Sequence, residues 1–365
     1  MKLECSIEKI KTAISQTEKA TGKNLTLPIL NSILIIAQGN SLKLRSTNLS
    51  LGVEVVIPAK VEREGILAIS GSVLASTFSN LHQNENIQLE GVDGNLLVKT
   101  KKSQIKLKGS LYEDFPTIPK VEGDSFEIGA KKLIEGIKSV YYSASVTDIK
   151  QEISSVYIYT DEENLVFVST DSFRLAEKKV KIKNLPDIQG ILIPFKNIPE
   201  VLRLFGDVDS DLKVNFNKNQ ISFSVDGVYL TSRVIDGVFP DYRQIIPKEF
   251  KTEAVVLKQD LLNALKLSNI FSDKFNQLDL SINIKEKFVK LSSSNNDVGD
   301  NITSLDAAIK GENINLGFNY KYFLDCFPSI TTDSVCIKCV DVGRPIVVTP
   351  VSDKTFTYLI MPMNR

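Results

Sequence analysis

One pattern of apolar and polar residues occurs three times along the chain. Apolar residues alternate with polar ones and then enter a polar turn at residues 42–48, 165–171 and 289–295. The three copies start 123 and then 124 residues apart. Because such alternation predicts a half-buried strand and its end, we expect three related structural units.

Each copy also carries two helical patterns. Apolar residues three or four positions apart form one face of a helix, and this spacing opens every copy and returns after its strands. The opening helices are predicted at residues 7–20, 130–144 and 257–271, and the later helices at 74–81, 198–205 and 323–330.

Turn signals complete the predicted architecture. Asp93-Gly94 and Asp226-Gly227 each separate two short alternating segments, which predicts hairpins. Proline-containing junctions at 114–120 and 239–248 close the first two copies, because proline ends strands and stiffens linkers. We therefore predict an α+β fold of three repeated domains, each with two helices packed on one face of an antiparallel sheet. Their expected bounds are 1–122, 123–247 and 248–365.

The composition excludes several classes of protein. The 365 residues include 44 basic and 44 acidic side chains, and 42% of them are hydrophobic. This balance is typical of folded globular domains and excludes disorder or a basic nucleic-acid arm. With no long apolar run and no signal-peptide pattern, we predict a cytoplasmic protein without a membrane partner. Four cysteines are too few for a disulfide framework.

The candidates for catalysis and metal binding are weak. His82 is the single histidine, and we interpret it as a surface residue. Cys336 and Cys339 form a C-x-x-C pattern, but strand alternation sends residues three apart to opposite faces, and a zinc site needs about four ligands. The chain contains neither glycine-rich phosphate-binding motif. We therefore predict no enzyme activity, no metal and no cofactor.

Several short motifs, spread over the whole chain, resemble those of one family. They are Thr26-Leu27-Pro28-Ile29-Leu30, residues 170–176, residues 234–243, Gly317-Phe318-Asn319 and Met361-Pro362-Met363. Together with the threefold repeat, they make the chain similar to the bacterial DNA sliding clamps, the beta subunits of DNA polymerase III.

This resemblance implies a DNA polymerase processivity factor. In the family, two subunits of three clamp domains join head to tail as a homodimer, and the ring encircles double-stranded DNA without sequence specificity. The implied partners are the replicative DNA polymerase, the clamp loader, and repair and replication proteins that carry a short clamp-binding motif.

The resemblance also implies a peptide-binding pocket between the second and third domains. In relatives, a glycine often matches Ser172, and some carry arginine in place of Gln244. Arg174 follows the predicted strand end, where it either bridges to Asp171 or lines the cleft. Methionines suit a site that accepts many peptides. The implied pocket residues are Ile153, Thr170, Ser172, Phe173, Arg174, Leu175, Pro240, Tyr242, Ile245, Pro345, Ile360, Met361, Pro362 and Met363.

A ring around DNA is expected to be basic on its inner surface. Six helical windows hold six more basic than acidic residues, and the rest of the chain holds the opposite excess. Solvated helix faces often carry lysine too, so this split is compatible with a plain surface. Lysine attracts phosphates without reading bases. The residues expected to face DNA, from the helices and from two loops implied by the resemblance, are Lys9, Lys11, Lys19, Lys23, Asn24, Lys131, Lys132, Lys138, Thr147, Lys150, Lys196, Arg203, Lys258, Lys266 and Lys321.

The seam of the ring is implied by the family in the same way. An edge strand of domain one, with Ile105 and Leu107, is expected to meet domain three of the other subunit near Ile270 and Phe271. Lysines surround the first segment and aspartates the second, and opposite charges help to fix the register of an interface. The alternative is an unpaired edge strand that lysines protect from aggregation.

Two other functions are compatible with parts of the pattern. One is a repeat scaffold that binds protein peptides without encircling DNA, and it would need neither dimerisation nor lysine-rich inner helices. The other is an enzyme with an unrecognised carboxylate pair, for which two Asp or Glu side chains with shifted pKa values in one pocket would be the evidence.

Overall fold

The computed structural model describes residues 1–23, 26–81, 86–183 and 185–363. The chain divides into two compact units. The first contains Met1–Lys131 and Pro199–Val234, and the second contains Lys132–Ile198 and Ile235–Arg365. Unit one and unit two below refer to these residues. The three domain bounds expected from the sequence stay a prediction.

The first repeat contains two helices among its strands. Its elements are β1 (Lys2–Ser6), α1 (Ile7–Glu18), β2 (Ser32–Gln38), β3 (Ser41–Thr47), β4 (Leu51–Pro58), β5 (Lys60–Arg63), β6 (Gly65–Ser70), α2 (Gly71–Ser79), β7 (Asn86–Val92), β8 (Asn95–Lys99), β9 (Gln104–Leu107) and β10 (Gly109–Ser110).

The second repeat has the same order of helices and hairpins. Its elements are β11 (Asp124–Gly129), α3 (Ala130–Lys138), β12 (Ser155–Asp161), β13 (Asn164–Thr170), β14 (Arg174–Lys181), β15 (Ile191–Pro194), α4 (Ile198–Phe205), β16 (Asp211–Phe216), β17 (Gln220–Val225) and β18 (Val228–Arg233).

The third repeat follows the same plan. Its elements are β19 (Thr252–Leu257), α5 (Lys258–Ile270), β20 (Gln277–Asn283), β21 (Phe288–Asn295), β22 (Gly299–Asp306), β23 (Ala308–Gly311), β24 (Ile314–Asn319), α6 (Tyr320–Asp325), β25 (Ser334–Cys339), β26 (Ile346–Pro350) and β27 (Phe356–Ile360).

The predicted hairpins and five of the six predicted helices are confirmed, with shorter helix ends. The helix predicted at 323–330 is divided between α6, which ends at Asp325, and a 3-10 helix at Phe327–Ser329. Helix α3 ends at Lys138 rather than at Ala144, because the chain turns into a short 3-10 helix at Tyr141–Ser143. The predicted Asp-Gly turns place Asp93 and Asp226 at φ of 48° and 46°, the left-handed backbone that two-residue hairpins require. No helix in the described parts of the chain is long and apolar enough to span a membrane.

Two long antiparallel sheets run through successive repeats. In unit one the strand orders are β5-β1-β7-β8-β9 and β10-β6-β2-β3-β4-β18-β17-β16-β11; in unit two they are β15-β12-β13-β14-β27-β26-β25-β19-β23 and β22-β21-β20-β24. The pairs β4–β18 and β14–β27 join one repeat to the next. Strands β9 and β22 remain at sheet edges.

The repeated serine at the end of each central strand is buried. In the second repeat Ser169 Oγ donates to Ser155 O of β12 at 3.2 Å, whereas in the first and third repeats the serine holds a helix in place. Ser46 Oγ donates to Thr17 O at 2.6 Å, and Ser293 Oγ donates to Ser268 O at 3.0 Å. Both acceptors lie in the opening helix of their repeat. A buried hydroxyl needs such a partner, so this polar position belongs to the core and not to the turn that follows.

Helix α3 packs very closely on the sheet of unit two. A Cβ added at Gly136, in the middle of the helix, would lie 2.3 Å from the ring of Phe167. Phe167 is fully buried, so the ring cannot withdraw towards solvent. Glycine at this position allows the helix backbone to approach the aromatic core.

Candidate functional site

The turn between β13 and β14 presents the first group of expected pocket residues. Thr170 Oγ1 donates to Arg174 O at 2.7 Å, and Asp171 Oδ1 accepts from the backbone N–H groups of Phe173 at 2.9 Å and Arg174 at 3.0 Å. Ser172 has a φ of 78°. These bonds fix a tight turn that leaves 60% of Phe173 exposed to solvent.

Arg174 is held from two sides at this turn. Its Nε lies 3.0 Å from Asp171 Oδ2, and its Nη1 donates to Asp325 in α6. The guanidinium also lies over the ring of Tyr322, 4.8 Å from the ring centre. Burial alone would lower the pKa of Arg174, but Tyr358 and the two carboxylates raise it. The side chain therefore stays charged and fixed, and it bridges to Asp171.

Tyr322 and Asp325 are site residues that the sequence reasoning missed. They lie in and at the end of α6, about 150 residues from the arginine that they contact. Their helical spacing within a repeated second helix was visible in the sequence, but no local pattern connected them to Arg174.

Buried residues form the wall behind this turn. Leu175 is 1% exposed and Tyr242 is 5% exposed, and both pack in one cluster with Val347 and Leu359. The Tyr242 hydroxyl lies 2.7 Å from that of Tyr159 and donates to Glu177. Burial and the nearby carboxylate raise the pKa of Tyr242, so the phenol stays neutral and donates a hydrogen bond.

The C-terminal segment after β27 lies beside the same turn. Ile360 pairs with Arg174 and with Ile346. Met361 N then donates to Phe173 O at 2.8 Å, and Met363 N donates to Gly317 O at 2.8 Å. Met361, Pro362 and Met363 are partly exposed, so flexible thioethers reach the surface beside the turn that presents Phe173.

The remaining expected pocket residues differ in exposure. Pro345 is buried before β26, whereas Pro240 and Ile245 are exposed. Ile153 is half-buried, and its carbonyl oxygen accepts from Ser145 N at 2.9 Å. The Gln244 side chain donates to Asp241 Oδ2 at 2.7 Å, so a neighbouring carboxylate binds this amide.

Most residues expected to face DNA are solvent-exposed. Thr147 is exposed in the loop after α3, and Asn24 lies outside the described residues. Among the expected DNA-facing residues that the structure describes, the exposed lysines with no ion pair within 4 Å are Lys9, Lys23, Lys132, Lys138, Lys150, Lys266 and Lys321.

Three of the expected cations hold other helices instead. Lys11 Nζ donates to Ser79 O at the end of α2 and to Leu81 O beyond it, and Lys258 Nζ donates to Ile330 O. Arg203 donates from Nη1 to Ser15 O at 3.0 Å and from Nη2 to Gln16 O at 2.7 Å. These bonds satisfy carbonyl groups in or just beyond helices. Others form ion pairs: Lys19 with Glu18 at 3.1 Å, Lys131 with Asp209 at 2.5 Å and Lys196 with Asp148 at 3.0 Å.

The first expected seam segment lies on the edge strand β9, and the second lies at the end of helix α5. On β9, Ile105 is half-buried and Leu107 is 6% exposed, so Leu107 already packs inside unit one. Near β22, Ile270 is 59% exposed and Phe271 is half-buried. Exposed apolar residues that the sequence reasoning missed lie beside them, at Phe275, Val298 and Ile302.

The weak catalytic candidates that the structure describes are not assembled into a site. Cys336 and Cys339 are buried thiols in β25, and burial raises the pKa of both. His82 lies outside the described residues. Within the described ranges, no group of three or more His, Cys, Asp or Glu side chains is placed to hold a metal ion.

Three family models match consecutive parts of the chain. The N-terminal domain of the DNA polymerase III beta subunit matches residues 1–119, the central domain matches 127–241, and the C-terminal domain matches 243–364. Together they cover nearly the whole sequence.

Relatives and solved structures agree with these matches. The beta sliding clamp of Synechococcus elongatus is 28% identical over 374 residues, covering 100% of this chain and 99% of its own. The sliding clamp structure from Bacillus subtilis aligns with a TM-score of 0.95 at 22% identity, over 100% of this chain and 99% of its own. A Pseudomonas aeruginosa clamp bound to griselimycin aligns with a TM-score of 0.95 at 23% identity, over 100% of both chains.

Proposed function

Because the chain belongs to the DNA polymerase III beta subunit family, the bacterial sliding clamps, we propose that two copies close head to tail into a ring around duplex DNA. The ring then acts as a processivity factor that keeps replication and repair proteins on their template. The free sheet edges β9 and β22 are the observation that carries this proposal.

Strand pairing between successive repeats follows one rule. The second strand of a central hairpin pairs with the third strand after the second helix of the following repeat, as β4 pairs with β18 and β14 pairs with β27. In the third repeat, the second strand of the central hairpin is β22. In the first repeat, the strand that corresponds to β18 and β27 is β9. Both β22 and β9 lie at the ends of their sheets. A second copy of the chain can supply the missing partner to each. Unpaired edges are otherwise an aggregation hazard, and a heterologous joint closes a ring when its rotation fits.

The register of this joint follows from the two joints within the chain. Leu230 pairs with Val53, and Tyr358 pairs with Ala176. Within their own hairpins, Val53 lies opposite the repeated serine and Leu230 lies opposite a buried residue of the preceding strand. Ala176 and Tyr358 hold the same positions in the next repeat.

The equivalent residues at the free edges are Ile105 and Asn301. They are identified by the residues that lie opposite them in β8 and β21. Antiparallel pairing of these two positions sets Lys106 directly opposite Asp300. Opposite charges across strands stabilise a pair and disfavour other registers. Lysines surround one edge segment and aspartates the other in the sequence, and the repeat geometry supports one specific pair.

Exposed helix lysines supply the attraction to DNA. Lys9, Lys132 and Lys266 project from α1, α3 and α5 without ion-pair partners among the described residues. Long flexible cations bind phosphates without base contacts, which allows movement along any sequence. The ring retains DNA by enclosure, so the attraction between lysines and phosphates can stay weak.

The cleft at the β13–β14 turn is the proposed docking site for partner peptides. Phe173, Met361 and Met363 offer adaptable apolar surface, and the fixed Arg174 charge can orient a polar group of the peptide. A scaffold that binds peptides without DNA would need neither complementary free edges nor unpaired helix lysines, so the features of this chain favour the clamp.

We infer that the clamp acts in the cytoplasm without catalysing a reaction. Loading onto closed DNA requires one joint to open, and a separate ATP-driven loader supplies that work. Polymerase, loader and repair proteins would then compete for the same peptide cleft.

Retention on circular DNA tests the proposal. After loading onto nicked circular and linear duplexes of equal length, we expect the protein to stay on circles and to leave linear DNA through its ends. Mass in solution, recorded on the same sample, is expected to equal two chains. Equal loss from both templates together with a single-chain mass would contradict the ring.

A further inference from the structure

The turn that presents Arg174 has a close counterpart in unit one, between β3 and β4. Thr47 Oγ1 donates to Leu51 O at 2.8 Å, and Asn48 Oδ1 accepts from Ser50 N at 3.0 Å and Leu51 N at 2.8 Å. Leu49 has a φ of 74°. These bonds repeat those of residues 170–174 one for one.

The strand beside this turn makes the same backbone contact as the strand beside the peptide cleft. Arg233 N donates to Ser50 O at 2.8 Å, just as Met361 N donates to Phe173 O at 2.8 Å. Arg233 ends β18 and Met361 follows β27, the equivalent strands of the second and third repeats. The backbone framework of the peptide cleft is therefore built twice in the chain.

A cavity of about 290 Å³ opens at this second framework. Its lining includes Leu49, Leu51 and Ile118, the prolines of the first junction, and Arg233. Leu49 is 43% exposed, so apolar surface reaches the solvent there. A volume of this size accommodates one or two side chains rather than a whole domain.

The charge at the second framework differs from that of the cleft. Leu51 stands where the cleft has Arg174, and Arg233 stands where the cleft has Met361. Arg174 is bound by two carboxylates. By contrast, the exposed Arg233 has no carboxylate within 4 Å among the residues the structure describes, so its charge is available to a ligand.

We propose that this cavity is a second docking site for short partner peptides that carry an aliphatic side chain beside a carboxylate. The aliphatic side chain enters between Leu49, Leu51 and Ile118, and the carboxylate pairs with Arg233 in a charge-assisted bond. The site lies wholly in unit one, so a partner bound there need not compete for the cleft at Arg174. It selects a different, acidic peptide class, which goes beyond the function proposed above.

A pair of labelled peptides tests this site on the full-length protein. The probe is fluorescein-Gly-Glu-Leu-Leu-Glu-Gly with photo-leucine at one leucine, and its counterpart carries Gln in place of Glu. We expect the acidic probe to bind in fluorescence anisotropy and the counterpart to bind about tenfold more weakly, because a charged hydrogen bond is lost. Photo-crosslinks are expected within residues 47–52 or 116–119.

Two variants keep the test specific. Arg233→Gln is expected to weaken the acidic probe about tenfold, and Leu49→Asp is expected to weaken it by repulsion while tolerating the positive φ better than leucine does. The control Lys213→Gln removes an exposed cation of the same sheet and is expected to leave binding unchanged. Dimer mass and retention on circles stay normal in all three variants, which separates this site from ring closure.

Three results would overturn the proposal. They are no saturable binding of the acidic probe, equal binding by the Arg233→Gln variant, and crosslinks confined to residues 170–175 at the first cleft.

Discussion

Lys120 Nζ lies 3.0 Å from Oε1 of Glu54, a carboxylate 66 residues earlier in the chain. The other carboxylate oxygen accepts from Arg45 Nε at 2.5 Å, and the Lys120 ammonium lies 3.8 Å from the centre of the Tyr229 ring. The segment that leaves the first repeat is thereby bound to β4, the strand that pairs with β18 of the second repeat. Glu177 holds the equivalent position in the second repeat and binds the next linker through Tyr242.

Removing the Glu54 charge is expected to destabilise unit one. Burial raises the pKa of Glu54, but hydrogen bonds from Lys120 and Arg45 outweigh it and hold the pKa below its usual value. Glu54→Gln leaves two cations without their partner, and we expect a loss of about 2 kcal/mol in the free energy of unfolding at pH 7.

The pH dependence follows from the direction of the Glu54 shift. The carboxylate contributes its full stability above the unfolded pKa of about 4.3, and this contribution is lost as pH falls through the lower folded pKa. In denaturant titrations from pH 7 to pH 3, the free energies of unfolding of the wild-type protein and the Glu54→Gln variant are therefore expected to converge in acid. Glu122→Gln, at an exposed glutamate of the junction, is the control. A difference that stays constant with pH would show that the charge is not responsible.

Glycine at position 172 is expected to stabilise unit two. Ser172 adopts a φ of 78°, a backbone conformation that costs a residue with a Cβ about 1–2 kcal/mol. Glycine avoids this cost, but the greater entropy of its unfolded chain removes about 0.5–1 kcal/mol of the gain. Ser172→Gly should therefore raise the free energy of unfolding by about 0.5–1 kcal/mol, measured by urea denaturation. Ser172→Ala keeps the Cβ and should give no gain, so equal effects of the two substitutions would refute the backbone explanation.

Charge exchange tests the proposed pair between copies. Lys106→Asp alone or Asp300→Lys alone should weaken dimerisation about tenfold by placing like charges opposite each other, and the double exchange should recover most of the loss. Sedimentation at falling protein concentration measures the effect. Lys60→Asp, at the other edge of the same sheet, is the matched control. Additive losses in the double variant would exclude this register.

Three helix lysines are expected to set the salt dependence of DNA binding. Replacing Lys9, Lys132 and Lys266 with alanine should lower the slope of log affinity against log salt by about 2 to 3, because each phosphate contact contributes about 0.9. Anisotropy on a short linear duplex measures the slope. The control replaces Lys60, Lys218 and Lys285, which are exposed outside the helices. An identical fall in the control would indicate a general charge effect.

Local spacing was sufficient to predict the elements but not their long-range pairing. Helix and hairpin positions depend on neighbours within a few residues, and the repeats reinforced each prediction. The pairing of β14 with β27 joins segments about 180 residues apart and has no local signal. Ser46 was expected at a polar turn but is buried. Its burial could not be predicted locally, because its helix carbonyl partner lies 29 residues earlier.

The site was predictable to a similar extent. The resemblance named Arg174, and its local partner Asp171 was visible three residues away. Asp325 was not, because the contact depends on how α6 packs beside the turn. Exposed Ile302 and Phe275 were missed since nothing in their own segments distinguishes an open sheet edge from a covered one.

The strand joints have unequal strength against separation. In a ring of two copies there would be six joints of one design, and in four of them the paired strands belong to one continuous polypeptide, as β4–β18 and β14–β27 do. Strands that separate there remain tethered and pair again at high effective concentration. The β9–β22 joints lack that tether. A loader therefore need only hold one such joint apart, and the ring would open there while its other five joints stay intact.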